Sequence, residues 1–167
     1  MSSDARLPSQ VDWTIRPAVI SDWPVITEFN SRLAWETEGQ RLDPDTIANG
    51  VRALLTQPQH GRYFVACVSG HVVGQIMHTR EWSDWRNGEI WWLQSVYVQS
   101  EFRERGVFRE LFAHVRDLAH ATPDVIGLRL YVEQHNTRAQ AAYETLGLKQ
   151  AGYTVMEHIF RNDLAAE

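Results

Sequence analysis

Between Tyr63 and Val98 the chain alternates three apolar runs with two turn dipeptides, and this pattern limits its fold more than any other feature. Tyr63-Phe-Val-Ala-Cys-Val68 is a strand run, and Ser69-Gly70 turns it back into a second run from His71 to about Trp82. Asn87-Gly88 turns it again into a third run, Glu89 to Val98. Residues that tolerate positive φ sit at both turns, as short hairpin connections require, so a three-stranded meander is expected. Upstream, Trp13-Thr-Ile-Arg16 is short and β-like and is stopped by Pro17. Ser21 or Asp22 then caps a helix with Pro24 in its first turn and Val25, Ile26, Phe29 and Leu33 at helical spacing, ending near Gly39. Asp43-Pro44-Asp45 opens a second helix that carries Ile47, Val51, Leu54 and Leu55.

After Val98 the period changes. A charged loop, Gln99 to Gly106, leads into an amphipathic helix whose stripe is Val107, Phe108, Leu111, Phe112, Val115, Leu118 and Ala119, closed by Pro123. Val125 to Val132 reads as a strand, Asn136 or Thr137 starts a helix ended by Gly147, and Tyr153 to Phe160 reads as a last strand. The order β-α-α-β-β-β-α-β-α-β is an α/β fold with a mixed, mostly antiparallel central sheet flanked by helices. With 167 residues the chain holds one domain, 12–167, behind a flexible N-terminus at 1–11. No run is long enough to span a bilayer and the start has no apolar h-region, so no membrane partner is expected. A single cysteine, Cys67, fits a reducing, cytoplasmic setting. A net charge of −5 argues against nucleic acid as a partner. The seven histidines lack metal-site spacing, so no metal is expected.

The segment richest in chemistry is Val96-Tyr-Val-Gln-Ser-Glu-Phe-Arg-Glu-Arg-Gly-Val-Phe-Arg109, a strand, a loop and a helix start. Unpaired N–H groups at a helix start, backed by the helix dipole, attract anions. Gly106 removes a Cβ where a ligand would come close, and Arg103, Arg105 and Arg109 concentrate positive charge in a net-acidic chain. The nucleotide-hydrolase phosphate loop and the dinucleotide fingerprint are both absent.

Arg103-x-x-Gly106 after Val96-x-Val98, followed by Leu130-x-Val132-x-x-x-Asn136-x-x-Ala139-x-x-x-Tyr143-x-x-x-Gly147-Leu148, resembles the GNAT superfamily of acetyl-CoA-dependent N-acetyltransferases. The resemblance covers most of the chain. It implies that Arg103, Glu104, Arg105, Gly106, Val107, Phe108 and Arg109 cradle the diphosphate of acetyl-CoA, through backbone amides above all. It also implies that Val96 and Val98 pair with the pantetheine arm, that Asn136 contacts that arm, and that Tyr143 is the general acid for the departing thiolate. The N–H of Val98 is assigned to the oxyanion. Phe108 stands where the family has Gly or Ala, and Ser100 where Pro is common. Trp92 stands where a glutamate base is usual.

An aromatic cannot take a proton; Glu81 is the residue assigned as base, with Asp84, Glu133, Glu36, Glu38 or a water chain ending on one of these carboxylates as the alternatives. Glu36, Glu38, Asp84, Trp85 and Glu133 are candidate acceptor contacts. Carboxylates interleaved with Trp35, Trp82, Trp85, Trp91 and Trp92 suit a cation, and Arg86 suits a substrate carboxylate, so a small or amino-acid-like amine is the expected acceptor. Trp91 and Trp92 must face opposite sides of their strand, so at most one lines that site. Direct transfer in a ternary complex is the leading reading, and a homodimer is compatible with it. The alternatives are a catalytically weak acyl-CoA-binding module, a protein N-terminal acetyltransferase, and a partner-binding protein with a tryptophan surface.

Overall fold

A computed structural model describes residues 13–160. The expected loose terminus at 1–11 lies outside the described residues. The elements are β1 (Trp13–Pro17), α1 (Trp23–Glu38), α2 (Pro44–Thr56), β2 (Gly61–Val68), β3 (His71–Ser83), β4 (Gly88–Val98), α3 (Val107–Ala121), β5 (Val125–Leu130) and α4 (Thr137–Thr145). The sheet order follows the chain, β1-β2-β3-β4-β5, antiparallel throughout except for the parallel β4–β5 pair.

Local chemistry sets the boundaries. Asp43 caps α2 by accepting from the Thr46 amide at 2.8 Å, and α1 stops at Gly39, which is left-handed at φ +66°. Asp22 accepts from the Val19 amide and takes a two-pronged contact from Arg16 at 2.7 and 2.9 Å, which ties β1 to the start of α1. Gly88 opens β4 where β5 begins: a Cβ there would lie 2.6 Å from the Ile126 side chain, so only a bare backbone allows this approach.

Two apolar layers flank the sheet. One packs Val107, Leu111, Phe112, Val115 and Ala119 of α3 on Phe64, Ala66, Ile76, Trp91 and Leu93. The other packs Ile26 of α1 and Val51 of α2 on Tyr63, Val65, Cys67 and Met77. Full burial of each large aliphatic or aromatic side chain is worth roughly 1.5–3 kcal/mol, so these two layers hold the fold. No helix among the described residues is long and apolar enough to cross a membrane.

The sequence pattern departs from the structure in two C-terminal elements. Tyr153–Phe160 does not form a strand, and β5 ends at Leu130 instead of Val132. Met156 and Phe160 are 91% and 90% exposed. A strand added beside β5 gains ladder hydrogen bonds, but β5 is itself only half-buried and offers little apolar surface to cover the newcomer. Alternation alone could not reveal that.

Candidate functional site

The site begins where β4 and β5 part. Their register runs from Glu89↔Val125 to Leu93↔Leu130 and stops, so Gln94 to Val98 have no strand on that side. β4 also carries a bulge: Met77 pairs with Gln94 and Gln75 with Tyr97, which leaves Ser95 and Val96 facing the single residue Ile76. Ser95 is left-handed at φ +49°. The wholly buried Gln75 donates to the Ser95 carbonyl at 3.1 Å and to Asn30 Oδ1 at 2.9 Å, and Asn30 donates to the Tyr63 hydroxyl at 3.0 Å. A chain of buried polar groups from α1 therefore pins the distortion that frees the end of β4. Sequence reasoning missed Gln75 and Asn30. The available signal was a polar residue inside the apolar run Val72-Val-Gly-Gln-Ile-Met77.

Next along the chain, Gly106 holds φ +95° at the head of α3, and no side chain caps the helix there. The first intrahelical bond is from Glu110 N to Gly106 O, so the amides of Val107, Phe108 and Arg109 have no intrahelical partner. A Cβ placed on Gly106 would stand 3.7 Å from the Arg109 guanidinium, which puts that cation beside the bare turn. Arg105 lies over the Phe102 ring at 5.9 Å. Arg103 is used differently: its Nε donates to Val98 O at 2.8 Å and its Nη2 to Glu36 at 2.7 Å, fastening the loop to β4 and α1. Glu104, left-handed at φ +62°, pairs with Arg138 of α4 at 2.6 Å.

The Phe108 ring meets Tyr143 edge-on, with 5.8 Å between ring centres, which joins α3 to α4. Burial pushes the Tyr143 phenol up from its usual value, so it holds its proton at neutral pH. Asn136 caps α4 by accepting from Ala139 N at 3.0 Å, which commits its oxygen and leaves its amide protons as donors. Tyr143, Glu38, Glu81, Trp92, Arg129 and Glu133 all line one broad cleft of about 1520 Å³.

Glu81 and Trp92 share a sheet face, because Thr79 opposes Trp92 and Glu81 lies two residues further along β3. The Trp92 indole N–H donates to Glu81, and Arg129 pairs with the same carboxylate at 3.1 Å. Trp91 turns the other way, into the core, and stacks on His78 at 3.9 Å. Glu36 accepts from Arg103 and, at 3.2 Å, from the Tyr97 hydroxyl. Glu133 accepts from His135 N at 2.8 Å. Asp84 and Trp85 sit on the β3–β4 turn and line neither the cleft nor the smaller chamber under α1 and α2, and Trp85 is 86% exposed.

Comparisons with known proteins place the chain among its relatives. The family model for the acetyltransferase (GNAT) family matches residues 22–148. A possible acetyltransferase from Clostridium difficile 630 is 43% identical, with 90% of this chain and 99% of that one covered at a TM-score of 0.84. Two more distant structures share the fold. An integron cassette protein from the mobile metagenome of Cole Harbour Salt Marsh is 22% identical over 89% of this chain and 91% of its own, with a TM-score of 0.77. The aminoglycoside N-acetyltransferase AAC(6')-Iy, solved in complex with CoA, is 18% identical over 93% of this chain and 99% of its own, with a TM-score of 0.75. No curated protein matches the chain. The family match spans most of the chain, including the open end of β4 and the bare turn at Gly106: this protein belongs to the GNAT family of acetyltransferases.

Proposed function

We propose that the protein moves an acetyl group from acetyl-CoA to a primary amine by direct transfer in a ternary complex. The observation that carries this reading is the head of α3, where a left-handed Gly106 and three amides without intrahelical partners face outward with Arg109 beside them. Such a turn suits a diphosphate, because partial charges on fixed N–H groups need no rearrangement to meet an anion. The backbone of Val96, beyond the last β4–β5 pair, offers hydrogen bonds to the amide-bearing arm, while the Val98 carbonyl is taken by Arg103 and its N–H stays available. The side-chain amide of Asn136 supplies a further donor to it. When bound, acetyl-CoA supplies the activated acyl group.

The residues of the chain divide the remaining work. The N–H of Val98 donates to the acyl oxygen as charge builds there. Tyr143 retains its proton and delivers it to the departing sulfur. Glu81, held by Arg129 and Trp92 on the cleft wall, receives the proton that the attacking amine sheds. In a panel of primary amines with acetyl-CoA, read by release of free thiol, amine-dependent release is expected. Absence of release with every amine would contradict transfer. A second reading, acyl-CoA binding without turnover, is favoured by Trp92 at the family's usual base position. A thermal shift with acetyl-CoA but no thiol release would establish it.

A further inference from the structure

We infer that the acceptor is a primary monoamine with a compact hydrophobic body, seated in the chamber between α1, α2 and the sheet with its nitrogen at Glu38. The inference rests on the acetyl-transfer reading above and names the substrate class of that reaction. The chamber holds about 450 Å³, within the range of small-molecule sites, and Leu33, Leu42, Ile47, Val51, Leu54 and Met77 make its walls apolar. Asn30, Tyr63 and Ser95 form a neutral polar floor. Among the described residues no Arg, Lys or His lines it, so the carboxylate of an amino acid would be buried without a counter-charge. Among the described residues Glu38 is its one charged lining residue, which matches one ammonium and not two.

Glu38 also joins the two cavities, for it lines the broad cleft together with Tyr143 and Glu81. An occupant with its tail in the chamber and its cationic end at Glu38 therefore presents nitrogen to the cleft where the chemistry is proposed. The last turn of α1 carries Glu36 and Glu38 and no basic residue, so both carboxylates stand at the negative end of the helix dipole. Glu36 is occupied by Arg103 and Tyr97, whereas Glu38 makes no ion pair or side-chain hydrogen bond among the described residues. A bound cation would relieve that repulsion.

Gly50 adds an independent observation. It lies in the interior of α2, where glycine weakens a helix, and it lines the chamber. A Cβ built on it meets nothing within 4 Å, so no packing neighbour demands glycine there. The space it leaves belongs to the chamber.

Three ligands with one five-carbon chain test the assignment: pentylamine, norleucine, which adds a carboxylate, and cadaverine, which adds a second amine. Calorimetry on the CoA-loaded protein is expected to show pentylamine binding at least tenfold tighter than either. Gly50→Leu is expected to weaken pentylamine at least tenfold and methylamine far less, while acetyl-CoA still raises the melting temperature. Gly50→Ala, which adds less bulk and favours the helix, gives a smaller loss in the same direction. Norleucine or cadaverine binding as tightly as pentylamine would overturn the inference. So would a folded Gly50→Leu with unchanged pentylamine affinity. Pentylamine binding in the expected order without thiol release would uphold the chamber's ligand and remove acetyl transfer. Thiol release with norleucine or cadaverine, and no pentylamine binding, would do the reverse.

Discussion

Tyr143 concentrates the proton requirement of the proposed reaction on one hydroxyl. Its burial favours the neutral phenol, and its edge-on contact with Phe108 fixes the ring. Tyr143→Phe keeps that contact and removes only the donor, so turnover is expected to fall by ~10²–10⁴-fold with little change in acetyl-CoA affinity. Turnover near that of the unsubstituted enzyme would show that the thiolate leaves without this proton. His78 makes a different residue-scale prediction. Stacked on Trp91 and almost wholly buried, it has its pKa pushed down to about 4, by desolvation first and by nearby Arg80 second. The unfolded chain protonates His78 near its ordinary value of about 6.5, whereas the folded chain resists until about 4. The unfolded state thus binds more protons between those values, so stability is fully present above the upper one and is lost as pH falls toward the lower. The loss from this group reaches about 2 kcal/mol at pH 5, from 1.36 kcal/mol per unit. Urea denaturation at pH 7 and pH 5 checks it: His78→Phe should flatten the dependence, and an unchanged slope would contradict the assignment.

At the scale of elements, the decisive feature is the bulge in β4. Ser95 at φ +49° lets the strand distort where β5 leaves it, and Gln75 holds the carbonyl from behind. A β-branched side chain is strained in that conformation, so Ser95→Val is expected to cost about 1–2 kcal/mol, read as a lower urea midpoint. Ser95→Gly should cost less, and equal effects would argue against backbone strain. The bulge itself was not legible in the sequence: Gln94-Ser95 interrupts an apolar run and Gln75 interrupts another, but neither interruption says locally that the strand bulges there. The hairpin turns were legible: Gly70 and Asn87 take positive φ, which their identities favour, and Ser69 joins them at φ +48°. Asn87-Gly88 reads as the turn, but Gly88 is already the first residue of β4, opposite Ser83, and its role in admitting Ile126 of β5 depends on a contact 38 residues away that no local pattern contains.

For the whole molecule, the periodic segments specified the fold because each element obeys one local rule and buries one face. The α3 stripe shows this, with Val107, Leu111, Phe112, Val115 and Ala119 all buried. Tyr153–Phe160 marks where that logic ends, since its alternation is strand-like while its apolar side chains find no layer to cover them. The candidate site was half legible. The turn at Gly106 could be read from Arg103-x-x-Gly106, but the use of Arg103 as a fastener to Glu36 and Val98 depends on α1, some 67 residues away. The chamber was invisible for the same reason, because it is lined by two helices and three strands that meet only in the folded chain. The acetyl-CoA reading rests on the bare turn at the head of α3, and thermal unfolding tests it most directly. At about 100 times its Kd, acetyl-CoA should stabilise the protein by about 2.7 kcal/mol, a rise in Tm of roughly 5–10 °C for a chain of this size. Gly106→Glu, which fills the turn with a carboxylate, is predicted to abolish that rise; an undiminished rise in the folded variant would show that the diphosphate binds elsewhere.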